Sequence, residues 1–214
     1  MRRFRLTFTK GEEVRYISHL DLMRTWERIL RRAQLKLAHS QGFNPRPRLV
    51  FAAPLSVGVT SEAEIVDVDL EEELAAEELV SRVRPALPPG IHVLSAHETP
   101  IDGRPVMASV LSTDYVLDVE GTGDLESGIR EFLARISVPY ERMRKGASKQ
   151  ADMRPAVLDL WRTREGQLGM RLRLDVEGLG VRPEEVVGAL DGEWRIRRVH
   201  RTALHLKDEQ RDAA

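Results

Sequence analysis

Cysteine is absent from all 214 residues. Disulfides, thiolate zinc sites, cysteine nucleophiles and any cysteine-held iron–sulfur cluster are therefore excluded within this polypeptide. No uncharged apolar run approaches the ~18 residues a membrane span needs, and the opening MRRFRLTFTKGEEVRY has arginines but no apolar signal region. The expectation is a cytoplasmic protein without membrane contact. Catalytic signatures are missing too. No Gly-x-Ser-x-Gly, Walker sequence or His-Glu-x-x-His occurs, so nucleophilic and metallohydrolase readings have no anchor. His92 and His97 are five residues apart on an expected strand, as are His200 and His205, so each pair faces opposite ways and cannot share an ion. Gly178-Leu179-Gly180 lacks the third glycine of a dinucleotide fingerprint and reads as a strand-to-helix turn. No cofactor and no metal are expected.

What is present is segregated charge. The net charge is -1, yet residues 1–54 hold 12 Lys+Arg against 4 Asp+Glu, residues 55–131 hold 4 against 17, and residues 132–214 hold 17 against 13. Such asymmetry is a cue for nucleic-acid contact. Its rival is that the acidic middle neutralises the basic first quarter within the fold.

The hydrophobic pattern predicts α+β. Phe4 to Thr9 alternates as a half-buried strand, and Ser18 with Asp21 three residues on starts a helix from about His19 to Ala33. Leu22, Met23, Trp26, Ile29, Leu30 and Ala33 share its apolar stripe. Leu49 to Ala53 reads as a strand, Glu62 to Leu70 as an exposed-edge strand of alternating apolar and acidic residues, Ala75 to Leu87 as a helix and Ile91 to Ala96 as a strand. In the second half, strands are expected at Tyr115 to Glu120, Val138 to Arg144, Ala156 to Thr163, Leu168 to Val176 and Trp194 to Leu206. Helices are expected at Leu125 to Ile136 and Pro183 to Leu190, and a loop at Lys145 to Asp152. This order predicts two ferredoxin-like (βαββαβ) modules with antiparallel sheets, the second with an extra strand; one sheet through both halves is the alternative. The boundaries are 1–109 for the N-terminal module, 110–207 for the C-terminal module and 208–214 for a polar tail.

Two basic clusters carry aromatics. The first is Arg24, Arg28, Arg31 and Arg32, off the apolar stripe of one helix, followed by a loop in which Pro45 and Pro47 restrict the backbone and present Phe43, Asn44, Arg46 and Arg48. The second is Tyr140, Arg142, Arg144 and Lys145 with Lys149 and Arg154; alternation sets Tyr140, Arg142 and Arg144 on one strand face. An aromatic beside arginines is how single-stranded RNA is held, by base stacking and salt-sensitive phosphate contacts.

Tyr16-Ile17-Ser18-His19-Leu20-Asp21-Leu22-Met23-Arg24, Gly42-Phe43-Asn44-Pro45-Arg46-Pro47 and Pro54-Leu55-Ser56-Val57-Gly58-Val59-Thr60-Ser61-Glu62-Ala63-Glu64 resemble the radical SAM-linked family of unknown function. Lys145-Gly146 and Asp152-Met153-Arg154-Pro155 resemble its second-half signature. Members of that family occur fused to, or encoded beside, cobalamin-binding-type radical SAM proteins. The resemblance implies a radical SAM enzyme as partner. A chain without cysteine cannot itself hold the radical SAM cluster, and no Asp-x-His-x-x-Gly is present for a cobalamin lower ligand. Three roles follow as expectations: a non-enzymatic accessory module that binds RNA or tRNA; a protein-docking module using Tyr16 to Pro54; and a metal-independent RNA-processing enzyme with His19, His39 or Asp152 as acid or base.

Overall fold

The computed structural model describes residues 1–144, 147–174 and 180–207, with the side chains of 142–144, 147 and 149 outside that description. Two compact units divide the chain. One comprises Met1–Val110 and the chain from Leu206 on; the other is Leu111–His205. Both are mixed α+β with antiparallel strand pairing.

In the first unit β1 (Arg2–Lys10) is central, pairing antiparallel with β3 (Thr60–Leu70) and with β4 (Ile91–Thr99). The short β2 (Leu49–Phe51) pairs antiparallel with β3. These pairings place the strands in the order β4-β1-β3-β2. Helices α1 (His19–Arg32) and α2 (Ala76–Val83) complete the unit. Alternation along β1 sends Phe4, Leu6 and Phe8 into a core with Trp26, Ile29 and Leu30 of α1 and Leu79 of α2. Trp26 meets Phe8 edge-on, ring centres 4.7 Å apart, an arrangement that suits the ring quadrupoles.

The β3 expectation needs correction. It is no exposed edge: Glu64, Asp67 and Asp69 are all buried. Alternating apolar and acidic residues fit a half-solvated strand, and they fit equally a strand whose acids meet arginines on the next strand. β4 is an edge strand, pairing only with β1 among the described residues.

The second unit contains β5 (Val110–Gly121), α3 (Leu125–Ala134), β6 (Pro139–Arg144), β7 (Ala147–Asp152), β8 (Val157–Arg162), β9 (Leu168–Arg173), α4 (Pro183–Gly188) and β10 (Trp194–Leu206). Its sheet runs β10-β5-β9-β8, with β9 antiparallel to both β5 and β8. Leu168, Met170 and Leu172 of β9 are buried on one face. Gly169 lies opposite Trp161 of β8, where any Cβ would run into the indole ring.

The extra strand does not join this sheet. β6, expected as a strand, pairs with β7 in a separate two-stranded hairpin, and β7 lies within the stretch expected to be a loop. The segment Ala147–Asp152 reads ASKQAD, which has no β-branched or aromatic residue to announce a strand. Lys145, Gly146, most of the Gly178 turn and the 208–214 tail lie outside the described residues.

Candidate nucleic-acid interface

Register decides the surroundings of the β1 arginines. Arg3 lies opposite Asp69 and Arg5 opposite Asp67 on β3. Arg3 donates from Nε to Asp69 Oδ1 at 2.7 Å and from Nη2 to Oδ2 at 3.2 Å; Arg5 grips Asp67 likewise at 2.8 and 3.0 Å. The bidentate bond to Asp69 raises the Arg3 pKa against the opposing effect of burial. Arg48 reaches the same carboxylate, Nε to Asp69 Oδ2 at 3.1 Å. Part of the acidic middle segment therefore neutralises part of the basic quarter.

The arginines of α1 are arranged differently. Ser18 caps the helix, its hydroxyl accepting the Asp21 N–H at 3.1 Å, and the Asp21 pKa is lowered by its hydrogen bond from the Ser18 hydroxyl. Leu22, Trp26, Ile29 and Leu30 are buried, while Arg24, Arg28, Arg31 and Arg32 are exposed on the opposite side. Arg24 faces Asp21 of its own helix at 3.4 Å, and Arg28 donates to Thr25 Oγ1 at 3.3 Å. The Arg31 and Arg32 side chains make no hydrogen bond or ion pair among the described residues.

The loop after α1 is closed by its backbone. Arg48 N–H donates to Ala38 C=O at 2.8 Å, Ser40 N–H to Arg46 C=O at 2.8 Å, and Arg46 N–H to Ser40 Oγ at 3.1 Å. Gly42 at φ +135° turns the tip. Phe43 is fully exposed there at 107%, flanked by exposed Asn44, and the Arg46 side chain has no partner among the described residues. Of the first cluster, Arg48 is thus already engaged, and Phe43, Asn44, Arg46 and the α1 arginines face solvent.

Lys10 was not expected at this site. It is 1% exposed, and its ammonium donates to Arg15 C=O at 2.9 Å and Val59 C=O at 3.1 Å. Gly58 N–H donates to the same Arg15 C=O at 2.8 Å. This clamp joins the segment beginning at Tyr16 to the segment from Pro54 and leaves the Tyr16 ring beside Gly58, both Tyr16 and Val57 being exposed. Arg15 lies over the Tyr16 ring, 4.5 Å from its centre. The signal in the sequence was parity: Lys10 continues the buried series Phe4, Leu6, Phe8.

In the second cluster Tyr140 is half-buried, facing a groove of about 470 Å³ shared with Arg135 and Pro139. The hairpin register sets Arg142 opposite Lys149 and Arg144 opposite Ala147. Lys145 lies outside the described residues. Arg154 is occupied: its guanidinium donates to Val157 C=O at 2.8 Å and Leu133 C=O at 3.1 Å. Asp152 is occupied as well, Oδ1 accepting Val138 N–H at 2.8 Å and Arg154 N–H at 2.9 Å, and the bond from Val138 leads the effects that lower its pKa. His19 packs edge-on to Phe51, ring centres 5.4 Å apart, and His39 is an exposed bridge partner of Pro47. No group of three or more His, Cys, Asp or Glu able to hold a metal occurs among the described residues. No described helix is long and apolar enough to cross a membrane.

Helix α1 and the closed loop that follows it in sequence give the first unit a basic, solvent-facing surface. Residues 3–183 match the model of a bacterial family described as "Uncharacterized protein conserved in bacteria (DUF2344)", and the chain belongs to that family. No curated protein matches it. Among solved structures it is similar to a chain in the "Crystal Structure of a Cbf5-Nop10-Gar1 Complex", at 12% identity and a TM-score of 0.47 over 95% of this chain and 48% of that one. The chain therefore spans about half the length of that structure's chain.

Proposed function

We infer that the chain is a non-enzymatic accessory module that binds RNA, tRNA included, and serves a separately encoded radical SAM enzyme. The observation that carries the RNA part is the contrast within the first unit: β1 arginines are matched by β3 aspartates, whereas Arg24, Arg28, Arg31 and Arg32 face solvent with Asp21 as their one acidic partner among the described residues. Cations held out of internal pairs are free to neutralise phosphates. Phe43, exposed at the tip of a closed loop, supplies a face for a base at little further ordering cost. The partner rests on the resemblance to the radical SAM-linked family. The strand orders β4-β1-β3-β2 and β10-β5-β9-β8 support reading each unit as ferredoxin-like, with the β6–β7 hairpin inserted in the second.

Titrating the full chain with total tRNA at low and physiological salt tests this reading. Binding that weakens steeply as salt rises is expected. Absence of binding at low salt, or binding indifferent to salt, would sink it.

A further inference from the structure

Main-chain hydrogen-bonding groups on the open side of β4 have no role in the RNA reading. β4 is nine residues long and pairs only with β1 among the described residues. Open edges are ordinarily guarded by proline, lysine or inward charges. Ile91–Thr99 contains no proline and no lysine, and Glu98 is its one acid.

A bulge guards half of it. Thr7 of β1 lies opposite Ser95 and Phe8 opposite Val93, so Leu94 is the extra residue, and its side chain is 57% exposed. The run from Ser95 to Thr99 is unbroken beyond it. Beside that run lies a groove of about 410 Å³ between β4 and α2, lined by Ala76, Glu77, Val80, Arg84, Ser95 and Ala96. Small apolar residues and two charged ones, Glu77 and Arg84, share its lining. Neither the Glu77 nor the Arg84 side chain has a hydrogen bond or ion pair among the described residues.

We propose that an extended segment of a partner protein adds to the open side of Ser95–Thr99 as a further strand. Backbone pairing with β4 supplies the attachment, small apolar side chains at alternate positions enter the α2 groove, and an acidic side chain meets Arg84. This use of the edge is distinct from the α1 face. A second copy of the chain suits the site less well: the acid β4 itself could offer to Arg84, Glu98, already binds Arg2 at 2.9 Å.

The test uses the full chain and a short fluorescein-labelled peptide alternating valine and serine with one aspartate. Its companions carry proline at the central serine or asparagine for the aspartate. Saturable binding is expected, weakened about tenfold or more by the proline, which removes a ladder donor. Arg84→Glu should weaken the aspartate peptide about fivefold and leave the asparagine peptide unchanged. Hydrogen exchange at Ser95–Thr99 should slow when peptide is bound. Equal binding of the proline peptide overturns the proposal, as does no binding of the parent at about 1 mM, the weak end of specific recognition. Concentration-dependent dimerisation that protects Ser95–Thr99 without peptide overturns it too, assigning the edge to a second copy.

Discussion

Arginines on β1 and arginines on α1 belong to one unit and one basic quarter, yet they have opposite surroundings. Arg3 and Arg5 are held in bidentate pairs by Asp69 and Asp67, directly across the β1–β3 ladder. Arg24, Arg28, Arg31 and Arg32 stand on the far side of a helix whose other face is core. Composition counts both sets alike. Position separates a cation that holds a fold together from one available to a ligand: the β1–β3 register places an acid opposite each of Arg3 and Arg5, whereas the four α1 arginines have Asp21 alone among the described residues.

The comparison breaks most forcefully at Asp69. Asp69→Ala strands the buried Arg3 guanidinium and releases Arg48, and removal of one partner from a buried pair costs about 3 kcal/mol or more. Thermal unfolding should shift down by roughly 10 °C. The double change Arg3→Met with Asp69→Leu should recover most of that loss, since replacing both partners by apolar groups is often near neutral.

Lys10→Met comes next. It leaves the carbonyls of Arg15 and Val59 without their shared donor and should cost about 2 kcal/mol in urea unfolding. Amide exchange should accelerate around Tyr16 and Gly58, which the clamp joins. If it does not, the clamp has no part in ordering those segments.

A pH scan compares the second unit. Burial pushes the Asp114 carboxyl up, but the bidentate hydrogen bonds from Arg171 and the His205 imidazole 3.0 Å away outweigh it, so the pKa ends below the usual carboxylate value. A group depressed in the folded state adds stability that is full above its unfolded pKa, about 4, and is lost as pH falls through the folded value. Acid unfolding should therefore be less steep for Asp114→Asn. An identical acid limb in the two proteins would remove Asp114 from the account.

The smallest effects on stability belong to α1. Arg31→Gln and Arg32→Gln should each change stability by no more than about 0.5 kcal/mol, as exposed changes without partners do.

Local features of this fold were legible in the sequence, and pairing across distance was not. Ser18 and Asp21 marked the start of α1, and the stripe from Leu22 to Ala33 marked its buried face, because caps and periodicity act within a few residues. The acids of β3 were misread because a buried ladder and a solvated edge share one alternation, and only Arg3 and Arg5, some sixty positions earlier, distinguish them. β7 was missed because the segment ASKQAD is a strand by virtue of its partner β6. At the candidate site the exposed arginines and Phe43 were legible. The engagement of Arg48 and Arg154 by distant groups was not.

The central claim is that the α1 arginines are available to phosphates. The direct measurement is the salt dependence of total-tRNA binding by the unmodified chain and by a variant carrying Arg24→Gln, Arg28→Gln, Arg31→Gln and Arg32→Gln. If all four contact phosphates, the log–log slope of the unmodified chain should be steeper than that of the variant by about 3, with the variant's unfolding temperature nearly unchanged. Equal slopes for the two proteins would contradict the claim.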